Sequence, residues 1–101
     1  MPEFQGNLEI LQNGFIKFRA PEVDIDGTYT SERPIPSDIK RDATLRVNGR
    51  SGAYNFNGDI STFGINITFD GPVGNAQLSA FGFGIITRIK GSANIILKDS
   101  D

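Results

Sequence analysis

Asn-Gly occurs three times in this chain between runs of apolar residues, at Asn13-Gly14, Asn48-Gly49 and Asn57-Gly58. Both central residues of a type I′ turn need positive φ, which Asn and Gly tolerate, so each pair signals a hairpin between antiparallel strands. Two more turns are expected, at Asp70-Gly71-Pro72-Val73-Gly74 and at Lys90-Gly91-Ser92. Parallel neighbours need a crossover of about a dozen residues or more. The second half therefore reads as a continuous antiparallel meander.

The runs between the turns alternate with period two, the signature of strands with one face in a core. Leu8 and Ile10 alternate with Asn7 and Glu9, Ile16 and Phe18 with Lys17 and Arg19, and Val23 and Ile25 with Asp24 and Asp26. Residues 62–70 form the clearest strand, with Phe63, Ile65, Ile67 and Phe69 on one face. Residues 76–90 read as one long strand bent at a barrel corner. Phe81, Phe83, Ile85 and Ile89 lie on one side of it, and Ala80, Gly82, Gly84 and Ile86 on the other. A last strand, 93–97, puts Ala93, Ile95 and Leu97 on one face. Residues 31–42, with Pro34 and Pro36, lack a strand pattern and read as a loop with at most one helical turn, capped by Ser37. A loop of that length is a natural place for a binding role.

Composition narrows the chemistry. His, Cys and Trp are all absent from the 101 residues, which removes the commonest general base, the thiol nucleophile, soft metal ligands and the indole platform favoured for sugar stacking. A net charge of −2 provides no basic field for nucleic acid. No apolar run is long enough for a membrane-spanning helix, and no basic segment leads into a signal-peptide core, so a cytoplasmic location is expected, with export left open. Residues 1–101 make one domain, and its stability must come from the core, without disulfides.

Four constellations could carry chemistry. Asp24 and Asp26 share a strand face and could begin a hard-cation site or an acid–base pair, but no further oxygen ligands follow at calcium-loop spacing; a solvated strand face is preferred. The basic stretch 33–50 could cradle an anion through Arg33, Arg46 and Arg50, yet Glu32, Asp38 and Asp42 offset it, and solvated ion pairs are preferred. Lys90 and Ser92 could form a base–nucleophile pair, and are better read as turn residues. Phe81-Gly82-Phe83-Gly84 lacks the Lys and Ser or Thr of a phosphate loop. Its aromatic rings either fill the core or line a cavity with Phe63 and Phe69.

The expected fold is all-β: an antiparallel up-and-down meander of about eight strands closed into a small barrel, with a β-sandwich as the alternative. The expected function is non-catalytic binding of a small apolar or amphipathic ligand, with Phe63, Phe69, Phe81, Phe83 and Tyr54 as ligand-binding residues. No catalytic residues, metal or cofactor are assigned. The alternative is a structural or interaction protein, a homo-oligomer or a partner-binding module, that buries an apolar face bearing Phe15, Ile86 or Ile96. An enzyme built on carboxylates, Tyr29 and Tyr54 is the least favoured class.

Overall fold

The computed structural model describes residues 3–82 and 85–98. Every regular element in it is a strand: β1 Glu3–Ile10, β2 Phe15–Arg19, β3 Val23–Ser31, β4 Asp38–Gly49, β5 Gly52–Ile60, β6 Ile65–Gly71, β7 Gly74–Ala80 and β8 Thr87–Leu97. They close into an antiparallel barrel in the order β1-β2-β3-β8-β5-β6-β7-β4, with β4 returning to β1. The order is meander-like, β1-β2-β3 and β5-β6-β7 each running on through neighbours. Two strands leave their sequence neighbours: β8 lies between β3 and β5, and β4 between β7 and β1. Closure gives every strand two partners and removes the unpaired edges of an open sheet.

The alternating residues of the sequence are the interior. Leu8, Ile10, Ile16, Phe18, Val23, Ile25, Leu45, Val47, Ile67, Phe69 and Ile95 are all buried. An eight-stranded barrel is just wide enough for its side chains to fill, so large groups must meet small ones across neighbouring strands. Register arranges this. Gly91 of β8 lies between Tyr29 of β3 and Phe56 of β5; Phe56 in turn opposes Phe69, and Phe69 opposes Ala76. The Phe56 and Phe69 rings sit 5.3 Å apart, tilted by 51°, a geometry that favours aromatic pairs.

Two of the expected turns are thereby explained differently. Gly58 lies within β5 and Gly91 within β8, both facing inward. A side chain at Gly91 would run into the Thr28 carbonyl oxygen and come within 2.9 Å of the Phe56 ring. These glycines make room for aromatic rings and close backbone approach; they do not reverse the chain. The Asn48-Gly49 pair does end β4, but β4 and β5 are not partners, so no hairpin forms there. Asn13-Gly14 and Gly71–Gly74 are true hairpin turns, and Gly14 adopts φ of +92°.

The long strand expected over 76–90 is two strands, β7 and β8, that are not neighbours in the barrel. Likewise only part of 31–42 is loop. After residues 32–37 the chain enters β4, and no helical turn forms. Within β4 the pairing with β1 slips: Gly6 opposes Ala43 but Leu8 opposes Lys40, so Arg41 and Asp42 together face Asn7. Asp42 takes φ of +62°, the left-handed conformation of a bulge. The extra residue turns Lys40 and Asp38 to the face of Leu8 and Ile10, and leaves Ile39 half-exposed outside.

Tyr29 is buried beside Gly91 and donates a 2.6 Å hydrogen bond to the Leu11 carbonyl oxygen. Burial raises its pKa. The unfolded chain thus releases this proton first as pH rises, so the stability involved is intact below about pH 10 and lost above it. Tyr29→Phe should cost about 1 kcal/mol at neutral pH and flatten the alkaline fall in stability, both measured by urea unfolding across pH. Gly91→Ala should destabilise by about 1–3 kcal/mol through overpacking, whereas Lys90→Ala, one residue away on the outer face, should stay within about 0.5 kcal/mol.

Candidate functional site

Because neighbouring strands alternate in direction, the connections sort onto two ends. The segments 11–14, 32–37 and 61–64 lie at one end, as do Phe81, Gly82, Ile85 and Ile86 between β7 and β8; 20–22, 50–51 and 72–73 lie at the other. Binding residues concentrate on loops held by a rigid scaffold, and the first end carries the longer ones.

The mouth at this end is crossed by 32–37. The segment leaves β3 tied to the start of β8, with Glu32 N–H donating to the Arg88 carbonyl and Arg33 N–H to Thr87 Oγ1. It arrives at β4 with Ser37 Oγ accepting from Gln12 N–H at 2.7 Å. Between these anchors Ile35 joins the buried core.

Of the large apolar side chains exposed at the same end, which include Phe15 and Ile39 at the starts of β2 and β4, three stand out furthest. Phe63 is 96 % exposed, Phe81 71 % and Ile86 64 %. The turn holding Phe63 is closed on itself: Ser61 N–H donates to the Gly64 carbonyl at 3.0 Å, and Ser61 Oγ accepts from the N–H of Phe63 and of Gly64. A serine-locked turn of this kind needs no aromatic residue to form, so the presence of Phe63 has no local structural cause. The two aromatic segments touch, since a side chain at Gly82 would collide with the Ser61 carbonyl oxygen and the Thr62 backbone. Ile85 packs partly against the core while Ile86 points away.

The residues expected to bind ligand therefore separate into two groups. Tyr54 and Phe69 are core residues, and the Tyr54 hydroxyl donates to the Arg50 carbonyl at 2.6 Å. Phe63 and Phe81 are outside the barrel on its loop end, and Phe83 lies outside the described residues. A cavity lined jointly by Phe63, Phe69 and Phe81 is not formed. Parity counting carried Phe63 onto the inner face with Ile65, but β6 begins only at Ile65; Ser61 and Gly64, flanking it at turn spacing, were the signal that the strand had not started. Of the residues named for a partner face, Phe15 opens β2 and Ile86 precedes β8 at the loop end, whereas Ile96 lies near the far end of β8.

Both charged constellations contain ion pairs. Arg19 reaches Asp26 at 2.6 Å and lies 4.0 Å from Asp24, and Lys98 Nζ is 3.1 Å from the buried Asp24 Oδ1. The hydrogen bond with Asp26 raises the pKa of Arg19, against desolvation. In the basic stretch Arg46 binds Glu3 at 2.8 Å and Lys40 binds Asp38 at 2.9 Å. The hydrogen bond from Lys40, helped by the Ile39 N–H, holds the Asp38 carboxyl below its ordinary range. Lys90 and Ser92 are strand residues of β8, and the described residues include no group of three carboxylates able to hold a metal. With cations already on Asp24 and Asp26, added calcium should leave the melting temperature unchanged, in the parent and in an Asp24→Asn, Asp26→Asn variant alike, as read by calorimetry.

Comparison with protein-family models, with curated proteins and with solved structures returns no match for this chain.

Proposed function

We propose that the protein is a non-catalytic binding barrel that takes an apolar or amphipathic ligand at its loop end. One observation carries this reading: Phe63, Phe81 and Ile86 are exposed together at the end with the long connections, while the interior is occupied by its own side chains. Exposing large apolar groups is unfavourable in water, and an exposed cluster marks an interaction site more often than a scattered one does. Burying one such side chain is worth about 1.5–3 kcal/mol. Burying the three against one ligand would work against the cost of association without any change inside the barrel, and an amphipathic ligand would leave its polar part to solvent or to the neighbouring polar residues.

Native mass spectrometry of protein purified without detergent tests the reading, together with titration of a fluorescent fatty-acid probe. A retained small mass or micromolar probe binding is expected. Phe63→Asp should weaken probe binding about tenfold or more with little change in melting temperature, because Phe63 makes no core contact. No retained mass and no probe binding would reject the proposal. A defined ligand-free oligomer that dissociates in Phe63→Asp would instead give the rim to a protein contact.

A further inference from the structure

Large apolar side chains are spread unevenly over the outside of this barrel. Six are exposed among the described residues, Phe15, Ile39, Phe63, Phe81, Ile86 and Ile96. Five of them belong to the loop end, and Ile96, near the far end of β8, is the exception. The five come from different elements in turn around the barrel. Phe15 opens β2, Ile86 precedes β8, Phe63 sits in the turn between β5 and β6, Phe81 follows β7, and Ile39 is the second residue of β4. They form a collar round the rim, with Phe63 and Phe81 on segments that touch.

Three properties of the collar select its partner. The first is protrusion. Phe63 is 96 % exposed on a turn closed by Ser61, so its ring is a projection and not the wall of a pocket. A rigid partner needs a matching cavity for each projection, whereas the boundary between head groups and acyl chains of a bilayer yields around them. The second is extent. The molecule measures 40 × 25 × 21 Å, so the face across its long axis offers roughly 400 Å², about half of what each partner gives to a standard protein interface. A second copy docked end to end gains too little area for a stable dimer. Insertion into lipid has no such threshold, because each apolar side chain that enters contributes its own transfer free energy. The third is charge. Cations at this end come with acids: Lys17 opposes Glu9, Lys40 binds Asp38 at 2.9 Å, Arg88 lies 3.6 Å from Asp59, and Glu32 precedes Arg33. A rim balanced in this way has no basic field to draw it to anionic lipid.

We propose that the collar docks the barrel end-on against a zwitterionic lipid bilayer. Phe63, Phe81 and Ile86 enter the boundary region, and the half-exposed Phe15 and Ile39 lie at the margin of the contact. The inference rests on the loop end as the binding end and names the ligand there as a lipid surface; a single small molecule touches only part of the collar.

Flotation of the full chain with vesicles of phosphatidylcholine alone tests this, beside vesicles in which part of that lipid is replaced by phosphatidylserine, at low and moderate salt. The chain should float with phosphatidylcholine, and phosphatidylserine or salt should change the bound fraction by less than about twofold. Phe63→Asp and Phe81→Asp should each weaken partitioning about tenfold or more at unchanged melting temperature, while Ile96→Ser, at the far end, leaves it intact. The proposal is overturned if the chain does not float with phosphatidylcholine, if flotation needs phosphatidylserine and is lost at moderate salt, or if Ile96→Ser weakens it as much as Phe63→Asp does. Binding of the fatty-acid probe without flotation rejects the lipid surface and leaves the loop-end reading standing. Flotation and probe binding that both survive Phe63→Asp and Phe81→Asp remove the loop end itself, and the two readings then fail together.

Discussion

The interior volume of an eight-stranded barrel is set by its strand number and stagger, and every other feature of this molecule is arranged within that volume. Tyr29, Phe56 and Phe69 fit because Gly91 and Ala76 stand at the paired positions. Close packing of this kind leaves the inside committed to stability, where each added methylene is felt. In the proposed reading, binding falls to the ends of the barrel. The mouth is crossed by the segment carrying Ile35, and the exposed aromatic groups sit beyond it.

Much of the architecture was legible because it depends on alternation, which a sequence displays directly. The inward faces of β1, β2, β3, β6 and the end of β8 follow from the positions of Leu8, Ile16, Val23, Ile65 and Ala93 and their i+2 partners. Strand order was less legible. Nothing local to β8 says that it should pair with β3 and β5 and not with β7, since that choice depends on how the whole sheet closes. Glycine was the most ambiguous residue. Gly14 turns the chain at positive φ, whereas Gly58 and Gly91 relieve crowding in the middle of strands, and the same two-letter signal, Asn-Gly, precedes both roles.

The candidate site was half-legible for the same reason. An aromatic residue near a strand end belongs inside or outside according to where the strand begins, and a shift of one turn moved Phe63 from the core to full exposure. Phe69, well inside its strand, was placed on the inner face by alternation and is there, and Tyr54 is buried as well. Neighbours across the outer wall could not be read from the chain at all. Arg46, Gln77, Thr68 and Asn57 are far apart in sequence and become neighbours only through the registers of β4, β7, β6 and β5.

The bulge at Asp42 means that composition does not decide which side of β4 faces inward ahead of it; residue count does. From Ala43 onward the odd-numbered residues point into the barrel, while ahead of the bulge Lys40 and Asp38 share the face of Leu8 and Ile10. The same residues paired without a bulge would alternate straight through, bringing Ile39 in and turning the Lys40–Asp38 pair out; loss of Arg41 or Asp42 would instead restore regular pairing with Lys40 still opposite Leu8. For the history of such a sequence, a single-codon deletion at this point is a smaller change than it would be elsewhere in the barrel, because the bulge absorbs it and the pairs on either side stay as they were.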